Sequence, residues 1–192
     1  MRGPKVGVVA LQGAYAEHIA ALEALGAHAV EVRRPEALGG LDAIVLPGGE
    51  STTMSMLLES SEVGDELAAR LDDGLPVFGT CAGLILLAVE IGDGRPDQRS
   101  FGRLDVAVLR NVYGRQRDSF ETDLDVPAAG ADPFTAVFIR APRITRVGEE
   151  VEVLASVGPD PVLVRQGPVL AAAFHPELSG DLRLHHLFLG GI

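Results

Sequence analysis

The sequence has a single cysteine, Cys81. That excludes an internal disulfide framework and any zinc site built on several cysteines, and it suits a reducing compartment. Basic residues are also scarce. Sixteen Lys+Arg stand against 27 Asp+Glu, a formal net charge of -11, and no basic cluster is present, which argues against a nucleic-acid partner. No apolar run is long enough to span a bilayer; the run Ala82–Val89 stops at Glu90. Arg2 and Lys5 precede the apolar stretch Val6–Leu11, and Ala14-Tyr15-Ala16 resembles a cleavage site, but the stretch is too short for a secretory signal. It reads as a first β-strand, and the chain as cytoplasmic. Internal repeats and low-complexity segments are absent.

What is present is an ordinary globular balance. Hydrophobic residues make up 47% and charged residues 22% of 192 residues, enough for one domain, 1–192, with a full core. Lys5–Leu11 is a continuous apolar run of the kind buried on both faces. Ala14–Leu25 carries Ile19, Leu22 and Leu25 at helical spacing, with Glu17, His18 and Glu23 off that stripe, and Gly26 closes it. Ala27–Val32 and Leu41–Leu46 read as strands, and helices begin near Thr53 and cover Glu62–Leu71. A strand Leu75–Gly79 and an apolar helix follow. This β-α-β-β-α-β-α order predicts an α/β fold of three layers, a mostly parallel sheet with helices on both faces. Beyond the polar loop Gly92–Ser100, short β-like runs cover Leu104–Leu109, Phe120–Val126, Thr135–Ile139, Val151–Val157, Val162–Arg165 and Val169–Phe174. They read as an antiparallel extension of the same sheet, closed by a helix over Leu182–Leu189.

The chemistry centres on Gly79-Thr80-Cys81-Ala82-Gly83. Strand, tight turn and helix, with glycines two residues either side of the cysteine, match a nucleophile elbow. The glycines let backbone pass close to the nucleophile. A helix N-terminus offers free N–H groups and a positive dipole end, which favours the thiolate. In parallel sheets ligands bind beyond the carboxyl ends of the strands, where Gln12, Pro47–Ser51 and Cys81 all fall.

A cysteine nucleophile needs a base, and the base an orienting acid. His175 follows the apolar run ending at Phe174, and Glu177 lies two residues on, across the stiffening Pro176. None of His18, His28, His185 and His186 combines a strand end with an acid held at short fixed spacing. The order Cys81, His175, Glu177, with acid and histidine on one turn, argues against an α/β-hydrolase, where they lie on separate loops. Pro47-Gly48-Gly49-Glu50-Ser51-Thr52 lacks the lysine of a phosphate-binding loop. It reads either as a strand-to-helix turn capped by Ser51 or Thr52, or as a backbone donor site. In the second reading Gly48 and Gly49, with the N–H of Ala82, form an oxyanion hole.

These three stretches together resemble triad-type (class I) glutamine amidotransferases, whose fold is flavodoxin-like. More closely, they resemble the glutaminase subunits of pyridoxal 5′-phosphate synthase. Leu11-Gln12-Gly13-Ala14, Asn111, Gly114-Arg115-Gln116, Asp118-Ser119-Phe120-Glu121 and Phe138-Ile139-Arg140-Ala141-Pro142 add to the likeness. Leu109 stands where relatives often carry an acid, Arg117 where they carry an apolar residue, and the final helix is short. The resemblance implies Cys81 as nucleophile, His175 as base and acid, and Glu177 as its partner. It implies a glutamine pocket of Gly49, Glu50, Ser51, Arg110, Ile139 and Arg140, with no metal or organic cofactor. The implied partner is a (β/α)8-barrel synthase subunit that receives ammonia in a hetero-oligomeric complex. Helix Ala14–Leu25 and the loop after Leu11 border the expected crevice and are read as the docking surface for that reason. Two rivals are a glutaminase serving imidazole glycerol phosphate synthesis, disfavoured by the Gly114–Glu121 stretch, and a silent binding subunit, disfavoured by the intact Cys81, His175 and Glu177.

Overall fold

The computed structural model describes residues 3–95, 97–110 and 119–192. In chain order the elements are β1 (Lys5–Val9), α1 (Tyr15–Ala24), β2 (His28–Val32), β3 (Ala43–Leu46), α2 (Ser51–Ser60), α3 (Val63–Asp72), β4 (Val77–Thr80), α4 (Ala82–Leu87), β5 (Ala88–Ile91) and β6 (Leu104–Leu109). They continue with β7 (Ser119–Leu124), β8 (Phe134–Ile139), β9 (Arg143–Val147), β10 (Glu152–Val157), β11 (Asp160–Gln166), β12 (Val169–Ala172) and α5 (Arg183–Leu189).

The main sheet runs β10-β11-β12-β4-β3-β1-β2. Its five-strand block from β12 to β2 is parallel, and β11 and β10 extend it antiparallel at one edge. The central strands are fully buried because helices cover both faces, which is why they appear in the sequence as unbroken apolar runs. Side chains alternate across the sheet. From β4, Phe78 meets His18 of α1 and His185 and Phe188 of α5, while Gly79 faces Leu87 of α4 on the other side. A three-layer α/β sandwich results.

The second half departs from the expected arrangement. Only β10 and β11 form the antiparallel extension; β12 is parallel to β4. The remaining strands make two small sheets, β5-β6-β9 and the hairpin β7-β8. β5 occupies Ala88–Ile91, where the apolar run suggested more helix, and α4 is correspondingly short. β9 carries Arg143 and Arg146 in an edge strand, too polar to stand out in the sequence.

Register brings the chemistry to one edge. Leu46 pairs with Gly79, and Ala172 pairs with Thr80. Gly48, Cys81 and His175 therefore leave three adjacent strands, about 4.8 Å apart, within three residues of their carboxyl ends. Among the described residues, no helix is long and apolar enough to cross a membrane.

Phe78 is 0% exposed at the junction of β4, α1 and α5. Phe78→Ala is expected to cost about 3–5 kcal/mol in urea unfolding. Met56→Ala, at a position 57% exposed on α2, should change the same measurement by no more than about 0.5 kcal/mol.

Candidate active site

The chain leaves β4 through a turn that only close packing maintains. Cys81 has φ 49 and ψ -101, a conformation an L side chain rarely adopts. Its N–H donates to Ala172 O at 2.8 Å, and its carbonyl accepts from Ile85 N–H at 3.3 Å, tying the turn to β12 and to α4. The flanking glycines are needed for space. A Cβ on Gly83 would collide with the carbonyl oxygen of Leu46, and one on Gly79 would meet Leu87 and the Gly83 backbone. Cys81 is thus the N-cap residue of α4, beside its unpaired N–H groups.

His175 arrives from β12. Its N–H donates to Val137 O of β8 at 2.8 Å, so the small hairpin anchors the turn that carries it. Phe138 and Phe134 of β8 both pack on Phe174. The turn Pro176–Leu178 carries Glu177 back under the imidazole, where Oε1 lies 2.8 Å from His175 Nδ1. A carboxylate only accepts, so Nδ1 bears the proton in that bond and Nε2 is left for Cys81. Burial pushes the His175 pKa down. Its hydrogen bonds with Cys81 and Glu177, and the negative charge on both, outweigh burial and raise it to about 10. His175 is held as an imidazolium at neutral pH.

The crevice in front of Cys81 has a volume of about 230 Å³. Gly49, Glu50, Ser51, Arg110, Ile139 and Arg140 line it together with Cys81 and His175. The residues expected in a substrate pocket are therefore brought together. Gly48 lies beside the pocket, where a Cβ would collide with the His175 ring. Ala82, next after the cysteine, is buried. Cys81 Sγ sits 4.0 Å from the carbonyl oxygen of Ile139.

Several details differ from the sequence reading. α2 begins at Ser51 and is capped by Glu50, whose carboxylate accepts from the N–H groups of Thr52 at 3.0 Å and Thr53 at 2.7 Å, not by Ser51 or Thr52. Partial burial pushes the Glu50 pKa up, but the bonds from Thr52 and Thr53 prevail and lower it to about 2. Arg110, expected in the pocket, is half-buried at the crevice, donates to Gln98 Oε1 at 3.0 Å and lies 3.6 Å from Glu50 Oε1. Arg140 is exposed, on backbone with φ 42. Gln12 also lines the crevice and accepts from Glu50 N–H at 3.2 Å.

Sequence reasoning missed Gln98, whose amide also donates to Ser51 O at 3.1 Å; nothing in its polar loop marks it. It also set His18 off the apolar stripe of α1, whereas His18 is 0% exposed. The spacing did contain the signal, since His18 precedes the buried Leu22 by one helical turn. Asn111, Gly114-Arg115-Gln116, Arg117 and Asp118 lie outside the described residues. Among the described residues, no group of three or more His, Cys, Asp or Glu could hold a metal ion.

Comparison with known proteins identifies the family. The profile of the SNO glutamine amidotransferase family matches residues 8–192. Curated proteins named pyridoxal 5′-phosphate synthase subunit PdxT are similar over nearly the whole chain. The one from Frankia alni is 56% identical over 189 residues (98% of this chain, 95% of that protein). The one from Mycobacteroides abscessus is 59% identical over 187 residues (97% and 96%). A crystal structure of a glutamine amidotransferase aligns with a TM-score of 0.90 at 54% identity, covering 97% of this chain and 99% of that one. The structure of PurLQS from Thermotoga maritima, 18% identical with a TM-score of 0.70 and covering 98% of each chain, shares the fold alone.

The imidazolium makes a direct prediction. In an NMR titration His175 should lose its proton near pH 10. Glu177→Gln removes one of the charges that raise it, and the midpoint should fall by about one to three pH units. A wild-type midpoint near 6.5, the ordinary histidine value, would contradict this electrostatic account.

Proposed function

We propose the following chemistry from the premise that this chain belongs to the SNO glutamine amidotransferase family. It is the glutaminase subunit of a pyridoxal 5′-phosphate synthase and hydrolyses L-glutamine to L-glutamate and ammonia for vitamin B6 synthesis. The observation that carries the reading is the meeting of Cys81, His175 and Glu177 at the carboxyl edge of the sheet, with the acid behind the imidazole and the thiol in front.

The thiolate of Cys81 attacks the side-chain carbonyl carbon of glutamine, forming a C–S bond and an oxyanion. Ala82 N–H, first after the nucleophile, is one donor to that oxygen, as elbow geometry requires. Gly49 N–H is the second. The Gly48 carbonyl oxygen packs against Gly13, so across a trans peptide the Gly49 N–H points the opposite way, from the β1 side towards the β4 side that carries Cys81. When the oxyanion collapses, the C–N bond breaks and His175 gives its Nε2 proton to the departing ammonia. His175, now neutral, takes a proton from water as that water attacks the γ-glutamyl thioester. Glutamate leaves, and the thiolate–imidazolium pair is restored. Glu177 fixes the tautomer throughout and stabilises the imidazolium.

At the other end of the substrate, the guanidinium groups of Arg110 and Arg140 suit an α-carboxylate. Backbone groups of Gly49, Glu50 and Ser51 complete the cradle, and Ile139 covers the aliphatic stem. Ammonia passes to a synthase partner, which we take to be the (β/α)8-barrel subunit. Docking along α1 and the loop after β1 sits well with Gln12, which joins that loop to Glu50 at the pocket wall. A shift of the loop on docking would reach the Gly48–Gly49 peptide through Gly13. The single thiol is best kept reduced in the cytoplasm.

The test is glutamate production from L-glutamine with and without the cognate synthase, for wild type and Cys81→Ala. The expected result is activity that rises when the synthase is added and disappears in the variant. Activity lost in Cys81→Ala but indifferent to the synthase would point to another ammonia acceptor. Activity that survives Cys81→Ala would refute the covalent mechanism.

A further inference from the structure

Behind Glu177 lies a row of buried polar side chains that the reaction above does not use. His18 from α1, His185 from α5 and Thr80 from the end of β4 are all 0% exposed. His18 Nδ1 is 2.9 Å from His185 Nε2, and His18 Nε2 is 3.2 Å from Thr80 Oγ1. The same His18 Nε2 is 3.3 Å from Glu177 Oε2, the carboxylate oxygen that His175 does not use. Glu177 Oε2 is buried with no other partner and no aligned hydrogen bond, and His185 Nδ1 is buried with no partner at all. Unpaired acceptors in a dry site are costly, and a carboxylate oxygen is among the most costly.

One assignment of protons fits these contacts better than the other. Burial, then the neighbouring charges of His185 and His175, push the His18 pKa well below 6.5, and burial lowers that of His185 to about 4, so each ring carries one proton at neutral pH. With the His18 proton on Nε2, it is donated to Thr80 Oγ1 and presents its positive edge to Glu177 Oε2, 3.3 Å from the nitrogen. His18 Nδ1 is then an acceptor, which requires the His185 proton on Nε2. His185 Nδ1 becomes a bare lone pair, and it is the atom left without a partner. The opposite assignment sets the His18 Nε2 lone pair against a carboxylate oxygen and buries an orphan N–H on His185, which is worse on both counts.

We propose that His18, locked as its Nε2–H tautomer by His185, is a positioning residue of the glutaminase: its Nε2–H edge, bonded to Thr80 and 3.3 Å from Glu177 Oε2, gives that carboxylate oxygen its polar contact and keeps it aimed at His175. The proposal rests on the glutaminase reading above. It extends the Cys81–His175–Glu177 chain through the sheet into the α1/α5 layer. His18 touches no substrate and acts only through Glu177.

Two variants measured in the complex with the synthase test it. His18→Leu keeps a buried apolar volume but has no donor, while His18→Gln retains an N–H donor. His18→Leu should lower kcat for glutamine about tenfold or more, the scale of one lost polar contact to a charged group, with KM little changed. His18→Gln should recover most of the loss. Unchanged kcat in His18→Leu, a loss carried by KM, or equal losses in both variants would overturn the proposal. The wild type supplies a second readout should His18→Leu fail to fold. With ¹⁵N-labelled histidine, His18 and His185 should both appear as neutral Nε2–H tautomers, and a His18 that is cationic or protonated on Nδ1 would overturn the assignment. A wild-type complex without Cys81-dependent glutamate production would instead refute the glutaminase reading and the positioning role with it. Wild-type turnover with an indifferent His18→Leu refutes the positioning role alone.

Discussion

The site depends on one constrained backbone position, Cys81 at φ 49. A non-glycine residue there costs on the order of 1–3 kcal/mol and persists only where its surroundings dictate it. Here they do. β12 takes the Cys81 N–H, α4 takes its carbonyl, and Leu46 of β3 packs so closely on Gly83 that no side chain fits between β3 and α4 there. Three adjacent parallel strands therefore converge on the same turn. A thiol at that turn is forced outward, over the strand ends, beside the start of a helix.

The electrostatics follow from that placement. His175 is mostly buried, and burial alone would discharge it. It stays protonated because Cys81 stands on one side and Glu177 on the other. One oxygen of Glu177 faces His175 at 2.8 Å, and the other lies 3.3 Å from His18 Nε2. The polar row crosses the sheet at the point where Thr80 directs its side chain opposite to Gly79, so the alternation of a single strand divides the site into a reactive face and a supporting one. The β7-β8 hairpin closes the arrangement from outside. Val137 holds the backbone of His175, and Ile139 places its carbonyl near the Cys81 sulfur.

Much of this was legible in the sequence where the signal was local. Cys81 lies between two glycines, His175 and Glu177 share one turn, and Gly48-Gly49 follows an apolar strand, so motif and strand end coincide within a few residues. The parallel strands were legible because burial on both faces leaves unbroken apolar runs such as Ala43–Leu46. The partners of later strands were not. Apolar alternation marks a strand but not its neighbour, so β12 could not be seen to run parallel to β4, nor β7 and β8 to leave the main sheet. Ala88–Ile91 extends an apolar helix without a break in composition, which hid β5. His18 was set aside because histidine is polar, although its spacing to Leu22 placed it inward. Its value depends on His185, 167 residues away, and no local pattern links the two.

The central claim is that this convergence of strand ends produces a covalent catalyst with Cys81 as the attacking atom. Rapid-quench mass spectrometry of the complex during turnover tests it most directly. The account predicts a γ-glutamyl adduct on the peptide containing Cys81, formed only with L-glutamine and decaying as glutamate is released. Steady glutamate release with no adduct on that peptide, under quench conditions that preserve a thioester standard, would contradict it.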